Sequence, residues 1–375
     1  MSRTTPIQWC DSAVNPVMGC PGCELYPSPA HVLKSIDDAL AITGVTIKSR
    51  PHLETLIDAH YASIKHPLPG HRNEITTTNI SHFRELLCDT ITKLHGRSAG
   101  ITAMNAIKKS ITCYAGKLHL NRAANILSPG RGLNKGYAPT FEQPTAFGGR
   151  MAEAAAWPDL LGTNNPEKPW MDGLPRTIFV SDMGDALSSR KQFPFLQREI
   201  ADSIITDKGL RHLWLWLTKR PQNMRDFAKL IGGFSTNVCA MTTITGPETL
   251  GRVDQLRQVD AHCRGLSIEP LWDRIPLDLL DLSGISWVIV GGESGSGPLS
   301  RPFHTEWAEE LLAHCRKHRV AFFLKQLGRN PYTAGKSIRL THPHGGNWNE
   351  WPSHLRIREL PAYFRSYREY ELMID

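Results

Sequence analysis

The sequence has no stretch of about 18 consecutive apolar residues, so it offers no candidate transmembrane helix. Residues 1–11 lack the apolar core and the small-residue cleavage site of a secretory signal. Eight cysteines among 375 residues, without such a signal, exclude the dense disulfide framework of small secreted domains. We therefore expect a folded, cytoplasmic protein without membrane contact, in which some cysteines serve metal or redox chemistry.

A continuous basic stripe is also missing. The formal charge is +7, but the lysines and arginines are scattered and several stand beside acidic residues. Short basic segments occur only at Lys108-Lys109 and at residues 131–135, whereas single-strand nucleic-acid sites interleave basic and aromatic residues along a groove. A nucleic-acid-binding protein with a structural metal therefore ranks below an enzyme, although an enzyme that modifies DNA or RNA would combine both features.

Short apolar runs alternate with amphipathic segments in the second half of the chain. The expected strands are residues 176–182, 212–218, 237–244, 265–269, 286–291 and 321–325. The expected helices are residues 193–205, 221–230, 247–258 and 305–318. This alternation predicts an α/β fold with a parallel sheet that is buried on both faces. Strands at residues 7–10 and 140–147 would raise the count to eight, which predicts a (βα)8-type parallel barrel, complete or incomplete.

The first part of the chain departs from the barrel pattern. Residues 24–112 show helical periodicity at 31–41 and 79–94 and a looser loop at 66–72, which predicts a mainly α-helical insertion between the first barrel elements. We expect the C-terminal extension to wrap the surface, anchored by Trp348 and Trp351. The predicted division of the chain is 1–23 (first strand and cysteine loop), 24–112 (insertion), 113–328 (remainder of the barrel) and 329–375 (C-terminal extension).

Polar residues follow nearly every predicted strand, and parallel barrels place their sites at the carboxyl ends of strands. The catalytic candidates are Asp182, Asp185, Lys219, Glu269 and Lys325. The candidates for binding a cofactor are Asn15, Thr218, Thr243, Gly291, Gly292, Glu293 and Ser294. Acidic, hydroxyl and basic side chains would together surround the open end of the barrel at the carboxyl ends of its strands. Such a set is suited to binding a polar ligand.

Residues 15–23 (NPVMGCPGC) follow the first predicted strand and contain a Cys-x-x-Cys pair, Cys20 and Cys23. The pair alone fits a zinc half-site, a redox pair or part of a cluster site. Gly19 and Pro21-Gly22 predict a tight loop that turns both sulfurs inward, where backbone N–H groups can point at a thiolate-bound cofactor. The absence of a βαβ setting disfavours a thioredoxin-like pair.

Several further motifs occur along the chain in a recognisable order. They are Asn15-Pro16-Val17-Met18-Gly19-Cys20, Gly22-Cys23, Cys113-Tyr114-Ala115, and residues 178–185 (IFVSDMGD), 217–221 (LTKRP), 267–271 (SIEPL), 288–295 (VIVGGESG) and 322–326 (FFLKQ). With these motifs the chain resembles the phage-related proteins with a three-cysteine motif, a radical-S-adenosylmethionine-like family. The resemblance covers residues 7–23 and 113–328.

The resemblance implies that Cys20, Cys23 and Cys113 bind three irons of a [4Fe-4S] cluster and that S-adenosylmethionine binds the fourth, with Tyr114 among the cofactor-binding residues. It implies an electron donor such as a flavodoxin or ferredoxin, a 5′-deoxyadenosyl radical, and hydrogen abstraction from an unidentified substrate, with DNA and RNA among the candidates. In the family the last two cysteines are close. Here residues 24–112 separate them, so the insertion must return to the same place.

Other interpretations remain open at this stage. Zinc could be held by the three cysteines together with His119 or His31, and a metal-dependent barrel hydrolase could use Asp182, Asp185 and Glu269. The Gly291-Gly292-Glu293 segment resembles a motif that contacts the methionyl amine, but it follows a late strand, so we do not transfer that role. The two glycines predict a close backbone approach, with Glu293 available to a cation. The remaining cysteines fit the pattern of small buried side chains.

Overall fold

The computed structural model describes residues 1–26, 29–46, 84–123, 136–138, 141, 143–294 and 300–371. Contacts divide the chain into two compact units. The first unit consists of Met1–Val17 and Ala146–Asp375, and the second of Met18–Thr145. The second unit therefore contains the expected insertion together with all three motif cysteines. The expected loop at 66–72, the first turn of the helix expected at 79–94 and the basic segment 131–135 lie outside the described residues.

The strands are short and most of them lie in the first unit. They are β1 (Ser12–Val14), β2 (Val17–Met18), β3 (Thr145–Ala146), β4 (Thr177–Val180), β5 (Leu213–Thr218), β6 (Val238–Thr243), β7 (Cys263–Ile268), β8 (Trp287–Gly291), β9 (Phe303–His304), β10 (Ala321–Gln326), β11 (Pro331–Thr333) and β12 (Lys336–Ser337). One sheet has the order β1-β4-β5-β6-β7-β8-β10, and all its pairings are parallel. Smaller sheets join β12-β11-β9 and β2-β3.

The α-helices connect these strands in the first unit and dominate the second. They are α1 (Pro29–Ala41), α2 (Arg84–Ser110), α3 (Tyr114–Ala123), α4 (Arg150–Ala155), α5 (Phe193–Ala201), α6 (Pro221–Ile231), α7 (Gly251–Arg257), α8 (Thr305–His318) and α9 (Tyr363–Glu371). Helix α2 is kinked at Gly96, whose φ is 84°. Among the described helices, none has the length and apolar composition needed to cross a membrane.

The predicted parallel α/β architecture is confirmed as a partial barrel. All six strands expected in the second half are present, but the strands expected at 7–10 and 140–147 are wrong. Residues 8–9 form a turn in which Trp9 is buried, and β1 begins at Ser12. Residues 140 and 142 lie outside the described part of the chain. Among the described residues of 140–147, only β3 is a strand, and it pairs with β2 outside the main sheet. The apolar character of these segments reflects burial, which does not require strand geometry. The main sheet therefore contains seven strands within the described residues.

Alternate side chains of the main sheet enter two different cores, as the two-residue period of a strand requires. On the inner face, Phe179, Leu215, Met241, Ile289 and Phe323 pack with Trp9 and with side chains of α9. The opposite face, which includes Val180, Trp216 and Val290, packs against the connecting helices. Burial on both faces explains why the strands read as continuous apolar runs.

The C-terminal extension is part of the fold and not a surface wrap, which corrects the prediction made for it. Residues 357–359 lie along β10: the N–H of Leu324 donates to the carbonyl of Ile357, and the N–H of Glu359 donates to the carbonyl of Phe322, each at 2.9 Å. This backbone covers what would be a free sheet edge. Trp351 is buried, as expected, but α9 adds Phe364 and Tyr367 to the inner core with no exposed surface.

Arg358 links the two edge strands of the partial barrel. Its guanidinium donates to Gln8 Oε1 at 3.1 Å, just before β1, and to the carbonyls of Lys325 and Leu324 in β10 at 3.1 and 3.3 Å. It lies 4.0 Å from the ring centre of Trp170. Burial lowers the pKa of Arg358 to about 10, and no carboxylate within the described residues pairs with it. The side chain therefore remains charged at neutral pH and is stabilised by carbonyls and aromatic faces.

Replacing Arg358 with lysine is expected to lower the free energy of unfolding by about 2 kcal/mol. The planar guanidinium of arginine donates to several separated oxygen atoms at once, whereas the single ammonium of lysine cannot reach all of them. Equilibrium urea denaturation measures the loss. The matched control is Arg316→Lys, an exposed arginine in the last turn of α8, for which we expect a change within about 0.5 kcal/mol. Equal losses in the two variants would contradict the linking role of Arg358.

Candidate functional site

The Cys-x-x-Cys segment forms the expected tight loop. The N–H of Cys20 donates to the carbonyl of Phe141 at 2.6 Å, and Cys23 and Tyr26 exchange two backbone hydrogen bonds of 3.0 Å. Gly22 has a φ of 122°, and a Cβ on it would lie 2.8 Å from the carbonyl oxygen of Tyr26. Only glycine fits this conformation without strain, so the spacing between the two cysteines is fixed by the local backbone.

The third cysteine returns to this loop after the insertion. The N–H groups of Thr112 and Cys113 both donate to the carbonyl of Leu25, at 2.9 and 2.8 Å. Cys113 immediately precedes α3, and the N–H of Gly116 donates to Cys113 Sγ at 3.3 Å. A helix N-terminus and an N–H donor both favour a negatively charged sulfur. Although Cys23 and Cys113 are far apart in the sequence, the backbone of Cys113 is therefore hydrogen-bonded to Leu25, two residues after Cys23.

The residues considered as completing a zinc site do not support one. His119 is buried, and its Nε2 lies 3.0 Å from the carbonyl oxygen of Ala138. The side chain of His31 lies outside the described residues. Across the described part of the chain, no group of three or more histidine, cysteine, aspartate or glutamate side chains is arranged to hold a metal ion. Tyr114, a candidate for contact with a cofactor, is largely exposed on the first turn of α3.

The other cysteines are buried, as predicted for Cys88, Cys239, Cys263 and Cys315, and so is Cys10, for which the sequence left the role open. Burial raises the pKa of the Cys10 and Cys239 thiols well above the ordinary value and raises the pKa of Cys315 to about 12. Cys239 and Cys263 lie opposite each other on β6 and β7, with 3.0 Å between the sulfur atoms, and neither is in a disulfide. The thiols of Cys10, Cys239 and Cys315 therefore stay protonated at neutral pH and are poor metal ligands.

In the first unit, the ends of β1 and β4 bring Asn15 and Asp182 together. Asn15 Nδ2 donates to Asp182 Oδ1 at 2.5 Å, and Asn15 Oδ1 accepts from the N–H of Met183 at 2.9 Å. Between β4 and Asp182, Ser181 has a φ of 73°, a conformation that non-glycine residues rarely adopt, and its buried hydroxyl has no hydrogen-bond partner among the described residues. Ser181 could not be predicted from local sequence, because its positive φ arises only from the turn that it occupies.

Burial raises the pKa of Asp182 above its ordinary value of 3.8, and the hydrogen bond from Asn15 opposes this shift. Asp182→Asn is therefore expected to raise the midpoint of thermal unfolding at pH 7, because the variant no longer buries a charge. The advantage should shrink as the pH falls and the wild-type carboxyl becomes protonated. Scanning calorimetry from pH 7 to pH 4 measures it, with the exposed Asp278→Asn as control. A lower midpoint for Asp182→Asn at pH 7 would contradict the expected cost of ionisation.

Asp185 is saturated by hydrogen bonds from the next strand and its loop. Its carboxylate accepts from Thr218 Oγ1 at 2.9 and 3.1 Å, from the Lys219 N–H at 3.0 Å and from Arg220 Nη1 at 3.1 Å. It also accepts from the N–H of Leu187 at 3.1 Å. Four donor groups leave little capacity for a ligand, so this geometry supports a positioning role for Asp185 and Thr218.

Glu269 and Lys325 form the central ion pair at the ends of β7 and β10. Lys325 Nζ lies 2.5 Å from Glu269 Oε1, and Gln326 Nε2 donates to the same oxygen at 3.0 Å. A Cβ on Gly291 would lie 3.3 Å from the Glu269 carboxyl carbon, so the glycine leaves room for this side chain. Both charged side chains retain partial exposure, 13% for Glu269 and 20% for Lys325. They are therefore accessible to a ligand.

The segment after β8 makes the close backbone approach predicted from its glycines. A Cβ on Gly292 would lie 2.4 Å from the carbonyl oxygen of Leu327. The cation expected for Glu293 is Arg301, at 3.0 Å, which also stacks 4.2 Å from the ring centre of Trp272. The Ser294 carbonyl oxygen lies 3.2 Å from His344 Nδ1.

One more residue from the predicted set, Thr243, lies at the end of β6. It is buried, and its carbonyl accepts a hydrogen bond from Arg252 at 3.0 Å. The structure therefore brings predicted residues together in three groups: Asn15 with Asp182, Asp185 with Thr218 and Lys219, and Glu269 with Lys325 and Gly291. Glu293 pairs with Arg301, which the sequence did not single out.

Comparison with known proteins identifies one family. The family described as Protein of unknown function (DUF5131) matches residues 111–352. No curated protein and no solved structure matches the chain. The matched range spans more than half of the sequence and includes Cys113-Tyr114-Ala115 and every candidate residue from Asp182 to Lys325. The chain therefore belongs to the DUF5131 family, whose function is unknown.

Proposed function

We propose that this protein is an iron–sulfur enzyme of the radical S-adenosylmethionine type, in which Cys20, Cys23 and Cys113 bind a [4Fe-4S] cluster. The observation that carries the proposal is the return of the chain at Leu25, which accepts hydrogen bonds from Thr112 and Cys113. Without this return, the Cys-x-x-Cys pair would lack a third thiolate.

The donor set fits such a cluster. Three thiolates are soft ligands of the kind that iron–sulfur clusters require. Cys20 lies in a loop built on glycines of positive φ, and Cys113 already accepts an N–H hydrogen bond at its sulfur. Thiolates that bind three different irons lie farther apart than the ligands of one ion. The close grouping of side chains that a zinc ion requires is therefore not a requirement for the cluster.

A bound cluster of this type supplies one electron, received from a flavodoxin- or ferredoxin-like donor, for reductive cleavage of S-adenosylmethionine and so for hydrogen abstraction. The residues at the strand ends would bind polar ligand groups. Lys325 presents an ammonium whose charge is balanced by Glu269, so it can donate to a carboxylate or phosphate without leaving a buried charge unpaired. Asp182, held by Asn15, presents a carboxyl group whose pKa burial raises, which suits it to accept or donate a proton.

The barrel-hydrolase alternative receives less support from the same side chains. Asp185 accepts hydrogen bonds from four donor groups, and the charge of Glu269 is balanced by Lys325. A metal-dependent hydrolase needs carboxylate oxygens that are free to bind the ion. The carboxylates of Asp182 and Glu269 keep capacity for this role, but the ammonium of Lys325 beside Glu269 disfavours a metal cation there.

Anaerobic iron and sulfide analysis tests the proposal, followed by electron paramagnetic resonance of the dithionite-reduced protein with and without S-adenosylmethionine. We expect about four irons per chain and a cluster signal that changes when the ligand is added. Bound zinc in place of iron, or a cluster signal that S-adenosylmethionine leaves unchanged, would overturn the proposal. DNA, RNA and free nucleotides can then be compared as substrates by their effect on cleavage of S-adenosylmethionine.

A further inference from the structure

A cavity of about 320 Å³ lies in the first unit, directly after β10. It combines basic, polar and apolar surfaces. Its principal lining residues are Gly328, Arg329, Arg339, His342, Ile338 and Leu340. Small-molecule sites in proteins begin at roughly 300 Å³, so the cavity is large enough for a ligand of nucleotide size.

Two arginines give the cavity an excess of positive charge. Arg329 Nη1 donates to the carbonyl of Pro343 at 3.2 Å, which orients its guanidinium without neutralising it. Arg339 is exposed and makes no hydrogen bond or ion pair within the described part of the chain. Neither arginine pairs with a described carboxylate. Such a pair of unneutralised guanidinium groups favours an anionic ligand.

His342 adds a further donor. Its Nδ1 accepts backbone N–H hydrogen bonds from His344 at 3.2 Å and from Gly346 at 3.1 Å. With Nδ1 as acceptor, the neutral ring carries its proton on Nε2. The cavity therefore has a ring N–H donor beside its two cations.

The nearby acids have other partners. Glu293 pairs with Arg301 at 3.0 Å. The Glu350 carboxylate accepts from the N–H of Thr341 at 2.9 Å and from Asn347 Nδ2 at 3.1 Å. Because these carboxylates are engaged elsewhere, the charge of Arg329 and Arg339 is left for a ligand.

The position of the cavity in the sheet supports the same conclusion. It adjoins the loop after β10, which approaches the loop after β8 where Gly292 meets Leu327. These are the last two strands of the main sheet along the chain. In parallel barrels, the loops after the last two strands frequently build a phosphate-binding site.

We propose that this cavity binds the phosphoryl group of a nucleotide, with Arg329 and Arg339 as its ligands. The planar guanidinium fork matches two phosphate oxygens, and Ile338 and Leu340 supply apolar surface for the rest of the molecule. The nucleotide is either free or part of a nucleic-acid strand. The site does not depend on the iron–sulfur cluster.

Binding to the full-length protein without cluster tests the proposal. Titration calorimetry with inorganic phosphate and AMP, and fluorescence anisotropy with a labelled short oligothymidylate, measure affinity for wild type, Arg329→Gln and Arg339→Gln. We expect each variant to weaken nucleotide binding about tenfold, because one charge-assisted phosphate contact is lost. The control, Arg316→Gln, removes the same charge from the exposed end of α8, and we expect less than about a twofold change.

Tenfold losses with AMP would support a free nucleotide as the ligand. The same losses seen only with oligothymidylate, together with strong weakening by salt, would support a nucleotide within a strand. Absence of binding by AMP and the oligonucleotide, or an affinity in Arg339→Gln equal to that of wild type, would overturn the proposal. Since no cluster is needed, this outcome is independent of the iron and spectroscopic measurements.

Discussion

Cys113→Ala is expected to reduce the iron bound after anaerobic reconstitution from about four atoms per chain to fewer than about one, with loss of the visible absorption of the cluster. The variant keeps the backbone hydrogen bonds of residue 113 to Leu25 and removes only the sulfur that accepts from Gly116. A cluster held by the remaining thiolates, Cys20 and Cys23, has two irons without a protein ligand instead of one and is expected to dissociate. Iron, sulfide and absorption measurements check the result without any substrate.

The control for this variant is Cys88→Ala. Cys88 also lies in the second unit, on α2, but it is buried at 5% exposure as a packing residue. The Cys88→Ala variant should bind as much iron as the wild-type protein, although it is expected to be less stable. Iron retained at the wild-type level in Cys113→Ala would contradict the ligand assignment, as would equal losses in the two variants. The circular dichroism of both proteins establishes that they are folded.

Phe364→Ala is expected to lower the free energy of unfolding by about 3–5 kcal/mol, because a fully buried aromatic ring leaves a cavity when it is truncated. Phe364 lies on α9, has no exposed surface, and its ring centre lies 5.4 Å from that of Trp287 on β8. The loss would show that the C-terminal helix is part of the core of the first unit. Chemical denaturation measures it, provided that the unfolding is cooperative.

Phe364→Leu is the matched control for the size of the cavity. It keeps an apolar side chain in the same place, so the loss should be clearly smaller, about 1–2 kcal/mol. A change within about 0.5 kcal/mol for Phe364→Ala would indicate a surface position. That outcome would restore the interpretation of the C-terminal extension as a wrap.

A helix can be predicted from the sequence when its apolar residues repeat with the helical period, and not when its burial depends on distant parts of the fold. Helix α8 was expected at 305–318 and is observed at Thr305–His318, because its apolar face repeats with the helical period. The single helix expected at 247–258 is interrupted: a 3-10 turn at Pro247–Thr249 precedes α7, which begins at Gly251. Helix α9 was missed, since polar residues surround its few apolar positions and its burial depends on the inner face of the sheet.

The candidate site was predicted unevenly for a similar reason. Cys20 and Cys23 are close because their separation is local, and the glycines that shape their loop can be read from the sequence. The sequence predicts that Asn15, Asp182, Glu269 and Lys325 lie at the same end of the barrel. It does not predict that Asn15 pairs with Asp182 or that Glu269 pairs with Lys325. The saturation of Asp185 could not be expected, because its donors follow a different strand and local sequence does not specify hydrogen-bond partners.

The sequence by itself determined the parallel α/β class, most strands of the sheet and the tight loop of the Cys-x-x-Cys pair, because period, burial and Cys-x-x-Cys spacing are local properties. Only the tertiary structure decided the return of Cys113 to Leu25, the link through Arg358 and the burial of Phe364. Each of these joins residues far apart in the chain. Apolar patterns report that a residue is buried, but the partner is chosen by packing and hydrogen bonding across the whole fold.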